Sequence, residues 1–145
     1  MEAHVSRSLE GNHRRILIAD TNAAFRESLA QHLRASGFEV VTAATGESAF
    51  HLLRDWQHPI GWLYTQADLP GLIDGWILAD EYRDGHPDRA AVIATSRELV
   101  SAQGHVILSE PSLAAALDAL LAIASAKAVE AGPATTNTDP QRLAA

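Results

Sequence analysis

The chain has no cysteine, no long uninterrupted apolar run and few basic residues, and each of these absences excludes a class of function. Without cysteine there is no disulfide framework of the kind that small secreted domains rely on. No apolar stretch approaches the roughly 20 residues that a membrane-spanning helix needs, so no membrane span is expected. The opening residues, Met1 to Glu10, lack the basic-then-apolar order of a secretory signal, and a cytoplasmic location is expected. Eleven Lys and Arg stand against 18 Asp and Glu, for a formal charge of −7. That balance disfavours nucleic acid as a partner, because affinity for a phosphate backbone depends on clustered cations. Arg14-Arg15 is the one basic pair of note and reads as solvated. The seven histidines show no i,i+3 or i,i+4 pair and no His-Glu-x-x-His, which argues against a dedicated zinc site. A Walker lysine and a nucleophile elbow are likewise missing, so no enzyme of those classes is indicated.

At 145 residues and 47% hydrophobic content, the chain is long enough for one packed core and too short for two ordinary domains. Residues 1–13 are polar and without period, and are expected to be a flexible leader. Ile16-Leu17-Ile18-Ala19 is a short aliphatic run of the type that is buried on both faces of a parallel sheet. Asp20-Thr21-Asn22 then offers turn and cap residues. Phe25, Leu29 and Leu33 recur four apart, which predicts a helix ending near Gly37. Phe38 to Ala43 reads as a second strand. Glu47 to Trp56 reads as a second helix with Ala49, Phe50, Leu53 and Trp56 inward. A third strand over Ile60 to Thr65, a loop from Gln66 to Asp74 and a helix from Gly75 to Arg83 follow, the helix burying Trp76, Ala79 and Tyr82. Ala90 to Thr95 and His105 to Ser109 are strands four and five. Leu113 to Ala126 is a last helix burying Leu113, Leu117, Leu120, Leu121 and Ala124. Trp62 and Trp76 are expected in or beside the core. Only eight residues, Arg97 to Gly104, connect strands four and five, too few for a full helix with its loops. Strands alternating with helices predict a parallel sheet covered on both faces. Residues 127–145 are expected to be a disordered tail.

In open parallel sheets, ligands bind beyond the carboxyl ends of the strands. This brings together Asp20 and Thr21 after strand one, Gln66 after strand three, Thr95 after strand four, and Glu110-Pro111 after strand five. A flavin phosphate is not expected there, because Asp20-Thr-Asn-Ala-Ala is no Gly- and hydroxyl-rich cradle, and no cofactor is assigned.

With these residues in place, the chain over residues 14–126 resembles the receiver (CheY-like) domain of bacterial response regulators. The matching features are an acidic loop after strand one, a Pro-Gly…Asp-Gly loop whose Pro70 lies four residues past Gln66, a hydroxyl after strand four, and an x-Pro after strand five. The extra residue in Pro70-Gly-Leu-Ile-Asp-Gly75 and the clipped connection look like an alphaproteobacterial subgroup with a shortened helix 4. The resemblance implies a flavodoxin-like (CheY-like) doubly wound sheet in order 2-1-3-4-5, with the helix between strands four and five missing or reduced, and a cis bond between Glu110 and Pro111. It also implies a degenerate phosphorylation site. Gln66 stands where the family has its phospho-accepting aspartate, and an uncharged amide is no nucleophile. Thr21 replaces one metal-holding acid, leaving Asp20 as the weak remaining metal candidate. Glu110 replaces the lysine that pairs with the phosphoryl group. Thr95 and Ser96 match the switch hydroxyl, and the switch aromatic falls on Ile107. Asp68 is the candidate substitute acceptor.

The resemblance therefore implies a pseudo-receiver in two-component signal transduction, not an enzyme and not phosphorylated, with its output in trans. Its expected partners are a sensor histidine kinase, a phosphotransfer protein or another regulator, with a homodimer possible. Two alternatives remain: a phospho-accepting receiver using Asp68 or Asp20 with residual Mg²⁺, and a small-ligand sensor using the vacated pocket, with Glu110 and Gln66 as polar contacts.

Overall fold

The computed structural model describes residues 14–95, 105–109 and 112–131, with side chains to residue 125. Five strands form one parallel sheet: β1 (Arg15–Ala19), β2 (Glu39–Ala43), β3 (Trp62–Gln66), β4 (Val92–Ala94) and β5 (Val106–Leu108). Their order is β2-β1-β3-β4-β5, as expected for the flavodoxin-like class. Among the described residues four helices accompany them: α1 (Ala23–Ala35), α2 (Gly46–Leu53), α3 (Gly75–Gly85) and α4 (Leu113–Ala131). The expected reduction of the helix between β4 and β5 falls on residues outside the described ones. None of the described helices is long and apolar enough to cross a membrane.

The strands are short and aliphatic because both of their faces are covered. One face of the sheet packs Leu17, Leu63 and Ile93 against Ala49 of α2 and Leu78, Ala79 and Tyr82 of α3. The other packs Ile16, Ile18, Trp62, Tyr64 and Val92 against Leu29 and Leu33 of α1 and Ala116 and Leu120 of α4. Each helix starts on a side-chain cap that satisfies an otherwise unpaired N–H. Asn22 accepts from the Phe25 N–H, Thr45 from that of Ser48, Asp74 from that of Ile77, and Ser112 from that of Ala115. Gly37 lies just past α1 at φ 98°, a left-handed conformation open to glycine at no steric cost.

Several boundaries differ from the sequence reading. Trp56 does not point inward but is 81% exposed. Helix α2 stops at Leu53, and Asp55 draws the chain into a turn, its backbone oxygen accepting from the His58 N–H at 3.1 Å and its Oδ1 from the Gln57 N–H at 3.1 Å. The periodicity of Glu47 to Trp56 therefore outruns the helix. Gln66 is the last residue of β3 and not the first of a loop, because it pairs in register with Ala94 of β4. Helices α3 and α4 run on to Gly85 and Ala131, past the expected ends at Arg83 and Ala126. Trp62 is buried, with the Arg89 guanidinium 4.6 Å from its ring centroid, and Trp76 packs at the edge of the core.

Two predictions follow from this packing. His105 is buried just before β5, and its Nδ1 accepts the Ala91 N–H at 3.0 Å. Burial first and Arg83 second push its pKa below 6.5, while Asp80 pulls the other way. The unfolded chain therefore takes up a proton that the folded chain refuses, and stability must fall as pH drops below 6.5. Denaturant midpoints should decline from about pH 7 to about pH 5. In His105→Asn, whose amide oxygen still accepts from Ala91 without titrating, the decline should be shallower; the remaining slope includes His86, which is shifted in the same direction by burial.

A Cβ on Gly75 would collide with the backbone oxygen of Gln66, so Gly75→Ala should cost about 1–3 kcal/mol of unfolding free energy, read by urea denaturation.

Candidate functional site

Strands β1, β3 and β4 end at one level, and backbone bonds hold the residues that follow. The Asp20 N–H donates to Ala43 O at 3.1 Å, that of Ala67 to Ala94 O at 2.8 Å, and that of Thr95 to Leu108 O at 3.0 Å. Beyond these ends lies a cleft of about 410 Å³. Asp20, Thr21, Gln66, Thr95 and Asp68 all line it, so the structure brings together every expected site residue that is described except Ile107. Ser96, Glu110 and Pro111, and with them the charge reversal and the cis bond, lie outside the described residues. Ile107, at the switch-aromatic position, pairs with Ile93 and packs into the core on the α2–α3 face. It is a partly buried core side chain and carries no hydroxyl.

The centre of the site is a neutral contact. Gln66 Oε1 accepts two hydrogen bonds from Thr21, one from the backbone N–H at 2.8 Å and one from the hydroxyl at 2.9 Å. Because the Thr21 N–H can only donate, the amide must present its oxygen there. Its NH₂ group is thereby turned away, with no hydrogen-bond partner among the described residues. The loop that follows is held independently. The Gly75 N–H donates to Ala67 O at 2.9 Å, and the Leu72 N–H to the Glu47 carboxylate at 2.9 Å. That bond, before any other cause, holds the Glu47 carboxyl below the usual range.

Asp20 is buried, and its Oδ1 accepts the Asn22 N–H at 2.8 Å. Burial raises its pKa above the ordinary carboxylate value, against the lowering effects of that bond and of Arg26. Arg26 turns its Nη1 to the backbone oxygen of Asp20 at 2.8 Å and makes no ion pair with the carboxylate. Thr95 is buried, whereas Asp68 is exposed at the rim.

Sequence reasoning overlooked Tyr64 and Phe25, which also line the cleft, their rings 5.9 Å apart at 37°. The Tyr64 side chain is fully buried, and its hydroxyl has no hydrogen-bond partner among the described residues. Burial, and then the Asp20 charge, push its pKa far above the ordinary phenol value. The signal was the two-residue period of a strand, which sets Trp62, Tyr64 and Gln66 on one face.

A receiver implies Mg²⁺, and the residues present do not fit it. Mg²⁺ requires near-octahedral hard oxygen ligands and is usually held through carboxylates. Among the described residues the donors are one buried carboxylate already accepting an N–H, the exposed Asp68 carboxylate at the rim, and a threonine and a glutamine engaged with each other. Among the described residues no group of three His, Cys, Asp or Glu is placed to hold a metal ion.

No protein-family model matches the chain, and no curated protein does so significantly. Solved structures do. The receiver domain of the hybrid histidine kinase CckA is 30% identical over 74% of this chain and 98% of that one, with a TM-score of 0.59. The response regulator TrrA of Thermotoga maritima, solved with Mg²⁺ and BeF, is 25% identical over 74% and 98%, with a TM-score of 0.58. A response regulator receiver protein of Sinorhizobium medicae superposes with a TM-score of 0.67 over 77% and 94%, at 24% identity. Sheet order, cleft position and the near-complete coverage of these domains agree: the chain belongs to the receiver (CheY-like) family of response regulators.

Proposed function

We propose that this receiver is a pseudo-receiver of two-component signalling, one that takes no phosphoryl group and acts by protein–protein contact. Its partners by this reading are a sensor histidine kinase, a phosphotransfer protein or another regulator, and a second copy of the chain is a further candidate. The observation that supports the reading is the double hydrogen bond from Thr21 to Gln66 Oε1. In a phosphorylatable site these two positions carry carboxylates, whose mutual repulsion is relieved by a cation. Here a donor pair meets an acceptor, and the β1–α1 loop is tied to the end of β3 with no ligand at all. The positions that carry the nucleophile and one metal ligand in a phosphorylatable site are here occupied by the two residues of that tie. The surface above the cleft is thereby held in one state, which suits a docking module better than a phosphorylation switch.

With acetyl phosphate and Mg²⁺, the intact mass should show no added phosphoryl group. A phosphoryl group found on Asp68 or Asp20 would overturn the reading. Gln66→Asp alone should restore little, since Thr21 and Glu110 remain. The triple variant Thr21→Asp, Gln66→Asp, Glu110→Lys is the variant expected to gain mass. Millimolar Mg²⁺ should leave the melting temperature of the unaltered chain unchanged, because a ligand stabilises a fold only by binding its native state.

The tie itself can be weighed by a double-mutant cycle of Thr21→Val and Gln66→Leu, read by chemical denaturation. A coupling of about 0.5–1.5 kcal/mol is expected, the usual net worth of an intramolecular hydrogen bond.

A further inference from the structure

Beneath the Thr21–Gln66 contact the cleft keeps features that the pseudo-receiver reading leaves unused. Tyr64 is fully buried at the cleft, its hydroxyl without a partner among the described residues, although burying a hydroxyl without a partner costs on the order of 1–3 kcal/mol. Asp20 spends one oxygen on the Asn22 N–H, and its other oxygen has no donor among the described residues. Arg26 donates its Nη1 to the backbone oxygen of Asp20 and turns its Nε toward Glu27, and makes no ion pair with the Asp20 carboxylate. The Phe25 and Tyr64 rings supply an aromatic wall, and the volume of about 410 Å³ lies within the range of small-molecule sites. Among the described residues no Lys, Arg or His lines this space, while Asp20 and Asp68 do.

These features select the charge of an occupant. An anion would face Asp20 with no counter-charge among the described lining residues. At the α1 N-terminus, which attracts anions, the Asn22 and Phe25 N–H groups are already taken by Asp20 and Asn22, and the Asp20 carboxylate stands beside them. A bare Mg²⁺ lacks its ligand set among the described residues. An organic ammonium group fits each feature: N–H donors for the carboxylate and for the phenolic oxygen, and a positive face for the aromatic rings.

We propose that the cleft binds a small alkylammonium ion, its charged head between Asp20 and the Tyr64 hydroxyl and its short chain against the Phe25 ring. The site rests on the reading that the cleft no longer serves phosphoryl transfer.

The test is an amide chemical-shift titration of the full chain with n-propylammonium chloride, with sodium propionate and 1-propanol as anionic and neutral counterparts. Saturable shifts at Thr21, Asn22, Phe25 and Gln66 are expected with propylammonium alone. Asp20→Asn should weaken binding by about tenfold or more. Tyr64→Phe should weaken binding while leaving the melting temperature of the free protein equal or higher, because it deletes an unsatisfied group. A purely structural tyrosine would show the reverse pattern. Equal binding by Tyr64→Phe, equal shifts with propanol, or displacement of propylammonium by Mg²⁺ at the same amides would each overturn the proposal. The outcomes also separate the two readings. No amine binding together with no phosphoryl mass overturns the ammonium site and leaves the pseudo-receiver. Amine binding together with phosphoryl transfer overturns the pseudo-receiver and leaves a cation site.

Discussion

A side-chain oxygen that accepts both donors of a residue on another loop is a junction, and Gln66 Oε1 is the junction of this molecule's functional end. Two carboxylates at these positions, about 4 Å apart, would repel by about 4 kcal/mol at an effective dielectric of ~20, and something positive would have to hold them. Thr21 and Gln66 remove that requirement. Their contact joins the start of α1 to the end of β3, and the geometry around it is organised to let it form. Gly75 lets the chain pass close against the Gln66 backbone. Glu47 holds the intervening loop at Leu72. Asp20 fixes the turn into α1 through the Asn22 N–H.

Much of the fold was legible because its causes are local. Aliphatic runs as short as Ile16–Ala19 bury on both sheet faces wherever helices cover them. Cap residues such as Asn22 and Asp74 stand where they do because the first turn of a helix has N–H groups to satisfy. Trp56 was misread for a physical reason of the same scale. Helical period in the sequence says which face a residue would take if the helix continued, and the competing Asp55 turn ends it first. The strand-end residues of the cleft, Asp20, Thr21, Gln66 and Thr95, were legible too, since strand ends converge in any parallel sheet of this order, whereas Tyr64 and Phe25 were not. Illegible were the pairings within it. Thr21 and Gln66 are 45 residues apart, and their hydrogen bonds depend on the register of β1 against β3, in which Ala19 faces Thr65. No local pattern encodes that register. The orphaned Tyr64 hydroxyl is a property of its surroundings in the same way.

The two parts of the site are energetically separable, and this bears on how such a domain would respond to anything. A ligand shifts a conformational equilibrium only by its difference in affinity between the states. In a phosphorylatable receiver the cation, the phosphoryl group and the switch hydroxyl act on the same atoms, so occupancy and conformation are bound together. Here the loop-to-strand tie is made by Thr21 and Gln66, while the groups left without a partner below it, among the described residues, are one Asp20 oxygen and the Tyr64 hydroxyl. An occupant satisfying the lower pair need not break the upper contact. It would stabilise the state already present and would not create a second one. Occupancy would then be read by partners as rigidity of a preformed surface, in proportion to the ordering of α1 and its preceding loop, and not as the displacement of one element past another.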